Sequence, residues 1–229
     1  MKVGIIGAMN VEIENLKHSL NNVEVKTFSG IDYIHATLAS RDDIDVVAAI
    51  CGAGKVNAAI CAQTMILEYE VDQIINIGVG GGLTSDLKVF DVVVADKLCQ
   101  HDIDCTCIGD PLGLISGINI VYLEADKKII SGIEAALKDL SVNCRVGTIA
   151  TGDSFIAEPK QRQKIHDDFG AIAADMEGCA IAQVCYISKV PCGIIRSISD
   201  SDGAVDYLTF REKAADVAIK AVVKYMSKL

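Results

Sequence analysis

The stretch Ile74-Ile75-Asn76-Ile77-Gly78-Val79-Gly80-Gly81-Gly82 joins a short apolar run to a cluster of glycines. Its first part, 74–77, has the length and the β-branched content of a buried strand. Glycines after such a strand let backbone N–H groups approach a ligand closely and form an anion-friendly concavity. We therefore expect a glycine-rich turn at 78–82, although an ordinary tight turn would have the same sequence.

Runs of strand length alternate with stretches of helical period on both sides of this segment. We predict strands over 3–6, 23–28, 31–38, 46–50, 89–94, 146–149 and 194–198, and helices over 11–20, 56–67, 127–140 and 208–226. Such alternation predicts an α/β fold of three layers, with a central, mostly parallel or mixed sheet flanked by helices. The 229 residues contain no repeat or linker, so we expect one domain, 1–229.

The composition narrows the class of partner. Hydrophobic residues make up 51% of the chain, which allows a large core. A net charge of −10 without a Lys/Arg cluster argues against nucleic acid and membrane surfaces and fits a small neutral or cationic substrate. The nine cysteines lack C-x-x-C spacing and lie mostly in apolar runs, as in a reducing compartment. Because the sequence shows no signal peptide or membrane span, we expect a cytoplasmic protein.

Two carboxylates stand in strongly apolar surroundings near the C-terminal end. Glu177 lies within Asp175-Met176-Glu177-Gly178, between apolar residues on both sides, and Asp200 ends a run that begins at 190. Acidic side chains are seldom buried among apolar residues without a partner, because desolvating the charged form is costly. Each of them could simply cap a helix. Together with the glycine cluster, the pair favours a functional site.

A third acid, Glu12, follows Gly7-Ala8-Met9-Asn10 at the turn between the first strand and the first helix. Functional groups in open α/β sheets gather at the carboxyl ends of strands, where this turn would lie. The alternative is a glutamate favoured in a first helical turn by the macrodipole. Sequence alone leaves both interpretations open.

Common nucleotide and metal sites are excluded by particular residues. Leu83 occupies the last glycine position of a dinucleotide fingerprint, and Val56 stands where a P-loop needs Ser or Thr. The four histidines show no spacing typical of metal ligands. The sequence implies no cofactor and no metal.

The run DMEGCAIA at 175–182, followed after a strand by RSISD at 196–200, resembles the signature of 5′-methylthioadenosine/S-adenosylhomocysteine nucleosidases of the purine nucleoside phosphorylase superfamily. The segment 151–156 likewise resembles the family's Ser-Gly-Asp-x-Phe-Ile. The resemblance extends from residue 1 to about 212 and is loose at 100–124. It implies a nucleoside phosphorylase-like fold, a homodimer, and hydrolysis of the N-glycosidic bond that releases adenine and a thio-ribose.

The resemblance also implies roles at the sugar. Glu12 would act as general base on water, with Met9 against the ribose and the glycine segment around Gly80 beneath it. Glu177 would accept hydrogen bonds from the 2′- and 3′-hydroxyls, and Met176 would line the sugar. A carboxylate suits this position because it accepts two hydrogen bonds and favours an oxocarbenium-like transition state.

Other residues are implied at the base. Phe155 would stack on adenine and the Ile156 backbone would pair with the base edge, although Phe155 could equally be an ordinary core aromatic. Asp200 would deliver a proton near N7, since burial can keep an aspartate protonated at neutral pH. Ser199 would orient Asp200, and Arg196 would steady the water or Glu12.

The chain departs from the family pattern in two places. Val79 replaces a serine that holds the attacking water or, in phosphorylases, a phosphate oxygen. Ile108 and Asp110 stand where aromatic residues of the 5′ pocket are expected, within the irregular stretch 99–124, which suits a subunit contact. Phe210 matches a family phenylalanine near the ribose and would act as a lid.

These departures leave three alternatives. The first is a nucleosidase for another 5′-modified nucleoside, such as 5′-deoxyadenosine or a futalosine-type compound. The second is a phosphorylase, disfavoured by Val79 and by the lack of arginines in the first turn. The third is an inactive relative that binds nucleosides.

Overall fold

The computed structural model describes residues 1–200 and 204–229. Within them ten strands form one mixed sheet: β1 Lys2–Gly7, β2 Leu20–Phe28, β3 Ile31–Leu38, β4 Arg41–Ile50, β5 Gln73–Gly82, β6 Val92–Gln100, β7 Leu123–Glu124, β8 Cys144–Thr151, β9 Ala173–Asp175 and β10 Cys192–Asp200. The mixed character of the sheet is as predicted.

Strand β5 is the centre of the sheet because it has three partners. Its first half pairs in parallel with β1, and β10 runs parallel along its other edge. Its last two residues, Gly81 and Gly82, pair with Ala174 and Ala173 of β9. From β9 the pairing continues through β8 and β6 back to β10, so that five strands close into a ring. On the opposite side, β4, β3 and β2 extend the sheet beyond β1.

Six α-helices flank this sheet among the described residues: α1 Asn10–Ile13, α2 Lys55–Tyr69, α3 Lys127–Asp139, α4 Pro159–Phe169, α5 Gly178–Ser188 and α6 Ala204–Met226. Helix α2 packs against α5, whereas α6 packs against α1, α3 and the strands β5 and β10. The core between these layers is mostly Ile, Val, Leu and Ala, as the apolar runs of the sequence predict.

The predicted turn at 78–82 is wrong, because these glycines continue β5 to its end. Their backbone remains extended: none of them is among the positive-φ glycines. A strand without side chains can accept close neighbours, and β10 and β9 both pair with its glycine half. The predicted helix 11–20 is also partly wrong: α1 ends at Ile13, a 3₁₀ turn covers Glu14–Ser19, and Leu20 begins β2.

The irregular stretch predicted at 99–124 is shorter in the structure, because β6 runs to Gln100 and β7 covers Leu123–Glu124. Between these strands, at 101–122, the helical structure is the 3₁₀ turn Thr106–Ile108. All nine cysteines are free thiols and six of them are buried. Within the described ranges, no helix is both long and apolar enough to cross a bilayer.

Candidate active site

A cavity of about 660 Å³, counted to its open mouth, lies where several strands end. Its wall comes from the carboxyl ends of β1, β4, β5, β8, β9 and β10 or the residues that follow them, and from α6. This is the edge at which open α/β sheets bind their ligands.

Most of the predicted site residues line this cavity. They are Met9, Glu12, Gly80, Phe155, Ile156, Met176, Glu177, Ser199 and Asp200. Arg196 and Phe210 are not part of the wall. Three acids that are far apart in the sequence therefore share one space, since they end or follow the strands β1, β9 and β10, each of which pairs with β5.

The Glu12 carboxylate is held by backbone N–H groups. Ala8 N and Met9 N donate to Oε2 at 2.6 and 2.9 Å, and Val79 N donates to Oε1 at 3.0 Å. Only 3% of the residue is exposed. Burial raises the pKa of this carboxyl, while Arg196 and the three hydrogen bonds oppose the rise. An acid with a raised pKa is better able to take up a proton.

Gly78 shows why this segment of β5 must lack side chains. A Cβ at that position would lie 2.7 Å from Glu12 Oε1 and 3.5 Å from Arg196 Nη1. At Gly80, it would lie 3.0 Å from the Ala174 carbonyl oxygen. The glycines thus allow charged groups and neighbouring strands to lie directly on the backbone of β5.

Arg196 lies behind the cavity wall and is almost fully buried, at 1% exposure. Its Nη2 is 2.6 Å from Asp175 Oδ2 and 3.8 Å from Glu177 Oε2, and it also contacts Asn76 Oδ1. Nη1 donates to the Ile195 carbonyl oxygen at 2.9 Å. The guanidinium is therefore fixed by several acceptors and supplies positive charge to the acids from behind.

Asp175 is a buried acid that the sequence reasoning did not single out. Besides Arg196, it accepts from Thr151 Oγ1 at 2.5 Å and from Gly178 N at 3.1 Å. Thr151 Oγ1 in turn accepts from Cys179 N at 2.8 Å. Asp175 thus ties the end of β8 to the first turn of α5, which carries Glu177 at its start. Its position two residues before Glu177 is a feature of the sequence that could have identified Asp175 as part of the site.

Glu177 faces the cavity between a cation and a backbone donor. Gly54 N donates to its Oε1 at 2.9 Å from a residue with φ of 97°, a conformation that favours glycine. Burial raises the pKa of this carboxyl to about 7. Arg196 opposes that rise, and the negative charge of Asp175 adds to it.

Asp200 has a cation of its own. Arg162 of α4 contacts its Oδ2 through Nη2, and Ser199 Oγ donates to Oδ1 at 3.2 Å. Burial raises the pKa of Asp200, and the ion pair with Arg162 counteracts it. Sequence reasoning missed Arg162, because nothing in a helix of mixed charges marks one arginine as buried.

The mouth of the cavity is covered in part by aromatic side chains. Phe155, 44% exposed, makes an edge contact with Tyr207 of α6, with ring centroids 5.2 Å apart. The Tyr207 hydroxyl donates to Met9 Sδ at 3.2 Å. Phe210 instead packs on Phe90, 5.7 Å between centroids. Tyr207, three residues before the predicted lid residue, is thus the aromatic of α6 that reaches the cavity.

No cluster of His, Cys, Asp and Glu suited to a metal ion occurs within residues 1–200 and 204–229. The acids of the cavity are instead matched with arginines and backbone donors.

Comparison with known proteins gives the family. The family model described as the phosphorylase superfamily matches residues 2–227. The chain belongs to the phosphorylase superfamily. Within this superfamily, a 5′-methylthioadenosine/S-adenosylhomocysteine nucleosidase from Shewanella denitrificans is 36% identical over 234 residues, covering all of both chains. An aminodeoxyfutalosine nucleosidase from Campylobacter jejuni is 35% identical, again over the whole of both chains.

A solved superfamily structure shows the same fold. The 5′-methylthioadenosine/S-adenosylhomocysteine nucleosidase from Neisseria meningitidis, in complex with methylthio-immucillin-A, has a TM-score of 0.94 and 32% identity. The likeness covers 100% of this chain and 99% of that one. The recognition of the nucleosidase family from the runs at 175–182 and 196–200 is confirmed.

We expect Gly78→Ala to cause a large loss of activity in a folded protein, because the new Cβ displaces the Glu12 carboxylate. Gly82→Ala is the matched control on the same strand, since its Cβ would meet neighbours only at 3.6 Å or more. Steady-state rates and thermal melts of both variants check this. Equal activity in the two variants would contradict it.

The raised pKa of Glu177 predicts how stability depends on pH. The folded state binds this proton more tightly than the unfolded chain, whose ordinary value is 4.5. The stabilisation is complete below that value and is lost as pH rises through about 7. The loss is on the order of 3 kcal/mol.

Glu177→Gln should therefore reduce the fall in unfolding free energy between mildly acidic and mildly alkaline pH. Denaturant titrations at the two pH values measure it. The exposed Glu14→Gln is the control and should retain the full pH dependence of the wild type. An unchanged dependence in Glu177→Gln would show that Glu177 does not carry the proton.

Proposed function

We propose that this protein hydrolyses the N-glycosidic bond of 5′-methylthioadenosine and S-adenosylhomocysteine, releasing adenine and the thio-ribose. The observation that carries the proposal is the meeting of Glu12, Glu177 and Asp200 in one cavity at the carboxyl ends of the strands. The names of the full-length relatives support the same substrates.

Glu12 is the proposed general base. Its carboxylate is fixed by three backbone donors and has a raised pKa, so it can take a proton from water as the water oxygen attacks C1′. Met9 beside it is partly buried and would lie along the ribose.

Glu177 is the proposed sugar-binding carboxylate. In its ionised form it accepts hydrogen bonds from two vicinal hydroxyls. Its negative charge, close to C1′, stabilises the positive charge that develops on the sugar as the glycosidic bond breaks. Met176 lines the cavity beside it.

Asp200 is the proposed acid for the leaving base. The electron pair of the C1′–N9 bond passes to the purine, and the Asp200 proton passes to N7, so that neutral adenine departs. Burial favours the protonated carboxyl that this step requires. Ser199 donates to Oδ1 and orients the group, while Phe155 and Ile156 line the wall where the base would lie.

Val79 supports water rather than phosphate as the nucleophile. Its backbone N–H donates to Glu12 and its side chain lines the cavity, yet it offers no hydroxyl to an anion. Phosphate also requires cations, and the described part of the cavity wall contains no Lys or Arg. Both features disfavour phosphorolysis.

A second candidate is a nucleosidase for a futalosine-type nucleoside. It is favoured by the full-length match to an enzyme named aminodeoxyfutalosine nucleosidase, and by the loop at 101–122, where Ile108 is 77% exposed rather than packed. The two candidates share the chemistry at C1′ and differ only in the 5′ group.

Base release from a panel of substrates tests both candidates. We expect adenine release from 5′-methylthioadenosine and S-adenosylhomocysteine without phosphate. Preferential turnover of an aminodeoxyfutalosine-type nucleoside would select the second candidate. Phosphate-dependent release would identify a phosphorylase, and binding without release an inactive relative.

Glu12→Gln should lower kcat by about 10²-fold or more, the usual contribution of a general base, while the nucleoside still binds. Glu14→Gln, two residues further along on the surface, is the matched control and should retain wild-type rates. Single-turnover rates and calorimetric binding measure the two effects. A nearly normal rate in Glu12→Gln would remove this residue from the mechanism.

We also propose a single domain that works as a cytoplasmic homodimer in methionine salvage. Supporting a dimer, Val56, Ile60 and Leu67 of α2 are exposed at 70%, 41% and 68%. Their spacing of four and seven residues puts them on one helix face. Tyr186 and Ile187, at the end of the neighbouring helix α5, are exposed too. Such an apolar patch is typical of an interaction surface.

Leu67→Glu should convert the dimer to a monomer, because a buried charge opposes association. Sedimentation velocity measures the mass. Val25→Glu, at another exposed apolar position (56%) on β2, is the control and should leave the mass unchanged. A wild-type protein that is monomeric at all concentrations would overturn the proposal.

A further inference from the structure

We propose that Arg162 is a positioning residue for Asp200, which it orients toward the base and whose charge it balances as the proton leaves. This inference rests on the proposed hydrolysis. It concerns a helix residue that lies outside the cavity wall and outside the motifs of the sequence.

The contacts of Arg162 fix one orientation of its guanidinium. Nη2 contacts Asp200 Oδ2, and Nη1 donates to the Gly82 carbonyl oxygen at 3.0 Å. The residue is 7% exposed, so the ion pair is shielded from water. The guanidinium is a rigid planar fork, and one of its nitrogens is bound to the carbonyl oxygen at the end of β5. The other nitrogen therefore holds the Asp200 carboxylate against that strand end. Arg162 thus joins α4 to the acid.

The other oxygen of Asp200 remains for the base. Oδ1 is near Ser199 Oγ, at 3.2 Å, and the backbone of Gly81 lies against the carboxylate without a side chain between them. With Oδ2 occupied by Arg162, Oδ1 is the atom that carries the proton to N7. Arg162 therefore holds the carboxyl by Oδ2, and the carboxyl reacts through Oδ1, which accepts the hydrogen bond from Ser199.

Groups from three elements act on the charge of Asp200 among the described residues. Arg162 of α4 favours the ionised form, as does the hydrogen bond from Ser199 on β10. Burial favours the protonated form, and so does the negative charge of Asp206 on α6. Arg162 is the cation in this set. Without it, the pKa of Asp200 would rise further.

The charge matters during the step itself. When the proton moves from Oδ1 to N7 and the C1′–N9 electron pair moves to the purine, Asp200 becomes a buried carboxylate. Arg162 already faces that carboxylate and stabilises the charge as it forms, without reorganisation. Removing the cation makes Asp200 a weaker acid at every pH.

Two neutral variants, Arg162→Met and Arg162→Gln, test this on the full chain with 5′-methylthioadenosine. Activity requires protonated Asp200, so the rate falls as pH rises through its pKa. We expect the alkaline limb of kcat/KM to move up by about one pH unit or more, because the neighbouring cation is gone. At the optimum, kcat should fall by about tenfold, with KM changed much less.

Arg162→Lys restores the charge but not the fork. It should return the alkaline limb to the wild-type position and recover part of kcat. Lys164→Met, which removes a charge from the exposed face of the same helix, is the control and should behave as wild type. Thermal melts confirm that each variant is folded.

A folded neutral variant whose alkaline limb of kcat/KM and whose kcat match those of the wild type overturns the inference. An alkaline limb that is displaced as far in Arg162→Lys as in the neutral variants also overturns it. If neither neutral variant folds, the lysine variant decides: a limb at the wild-type pH supports the inference, and a displaced limb refutes it. If the wild type releases no base from any nucleoside, the proposed hydrolysis itself fails. The two failures are therefore distinct.

Discussion

The buried guanidinium of Arg196 is the interaction on which the site depends. Glu12, Asp175 and Glu177 all lose most of their contact with water, and each charge alone would be costly at such depth. Arg196 contacts two of them and acts on the third through its charge. It is held in turn by neutral acceptors of β5 and β10. Removing one member of such a cluster leaves the charges of the others uncompensated, so the stability of each member depends on the rest of the cluster.

The glycine half of β5 leaves the space that this cluster occupies. Side chains on a strand normally fill the space beside the backbone, but at Gly78 and Gly80 that space belongs to Glu12 and Arg196. At Gly81 it belongs to Asp200, which would lie 3.5 Å from a Cβ. Charged groups from helix α1 and strand β10 can therefore approach one strand.

The sequence supported the fold class and the three acids, and left their surroundings open. Alternating runs predict strands and helices because burial imposes its period locally. Acids in apolar runs are visible for the same reason. That 78–82 is a strand depends on pairing with β9 and β10, which are about a hundred residues away in the chain, so no local pattern reveals it. Arg162 and Tyr207 reach the site through the packing of α4 and α6, and their local sequence resembles any helix surface.

The placement of the two arginines accounts for the chemistry that the cavity favours. Arg196 and Arg162 both stand behind an acid, and neither belongs to the described cavity wall. The acids thus remain stable in the fold while the face toward a substrate stays free of cations. Such a face repels phosphate and attracts the positive charge that grows on a sugar when its base departs. The arrangement that stabilises the buried acids therefore also favours water over phosphate as the nucleophile.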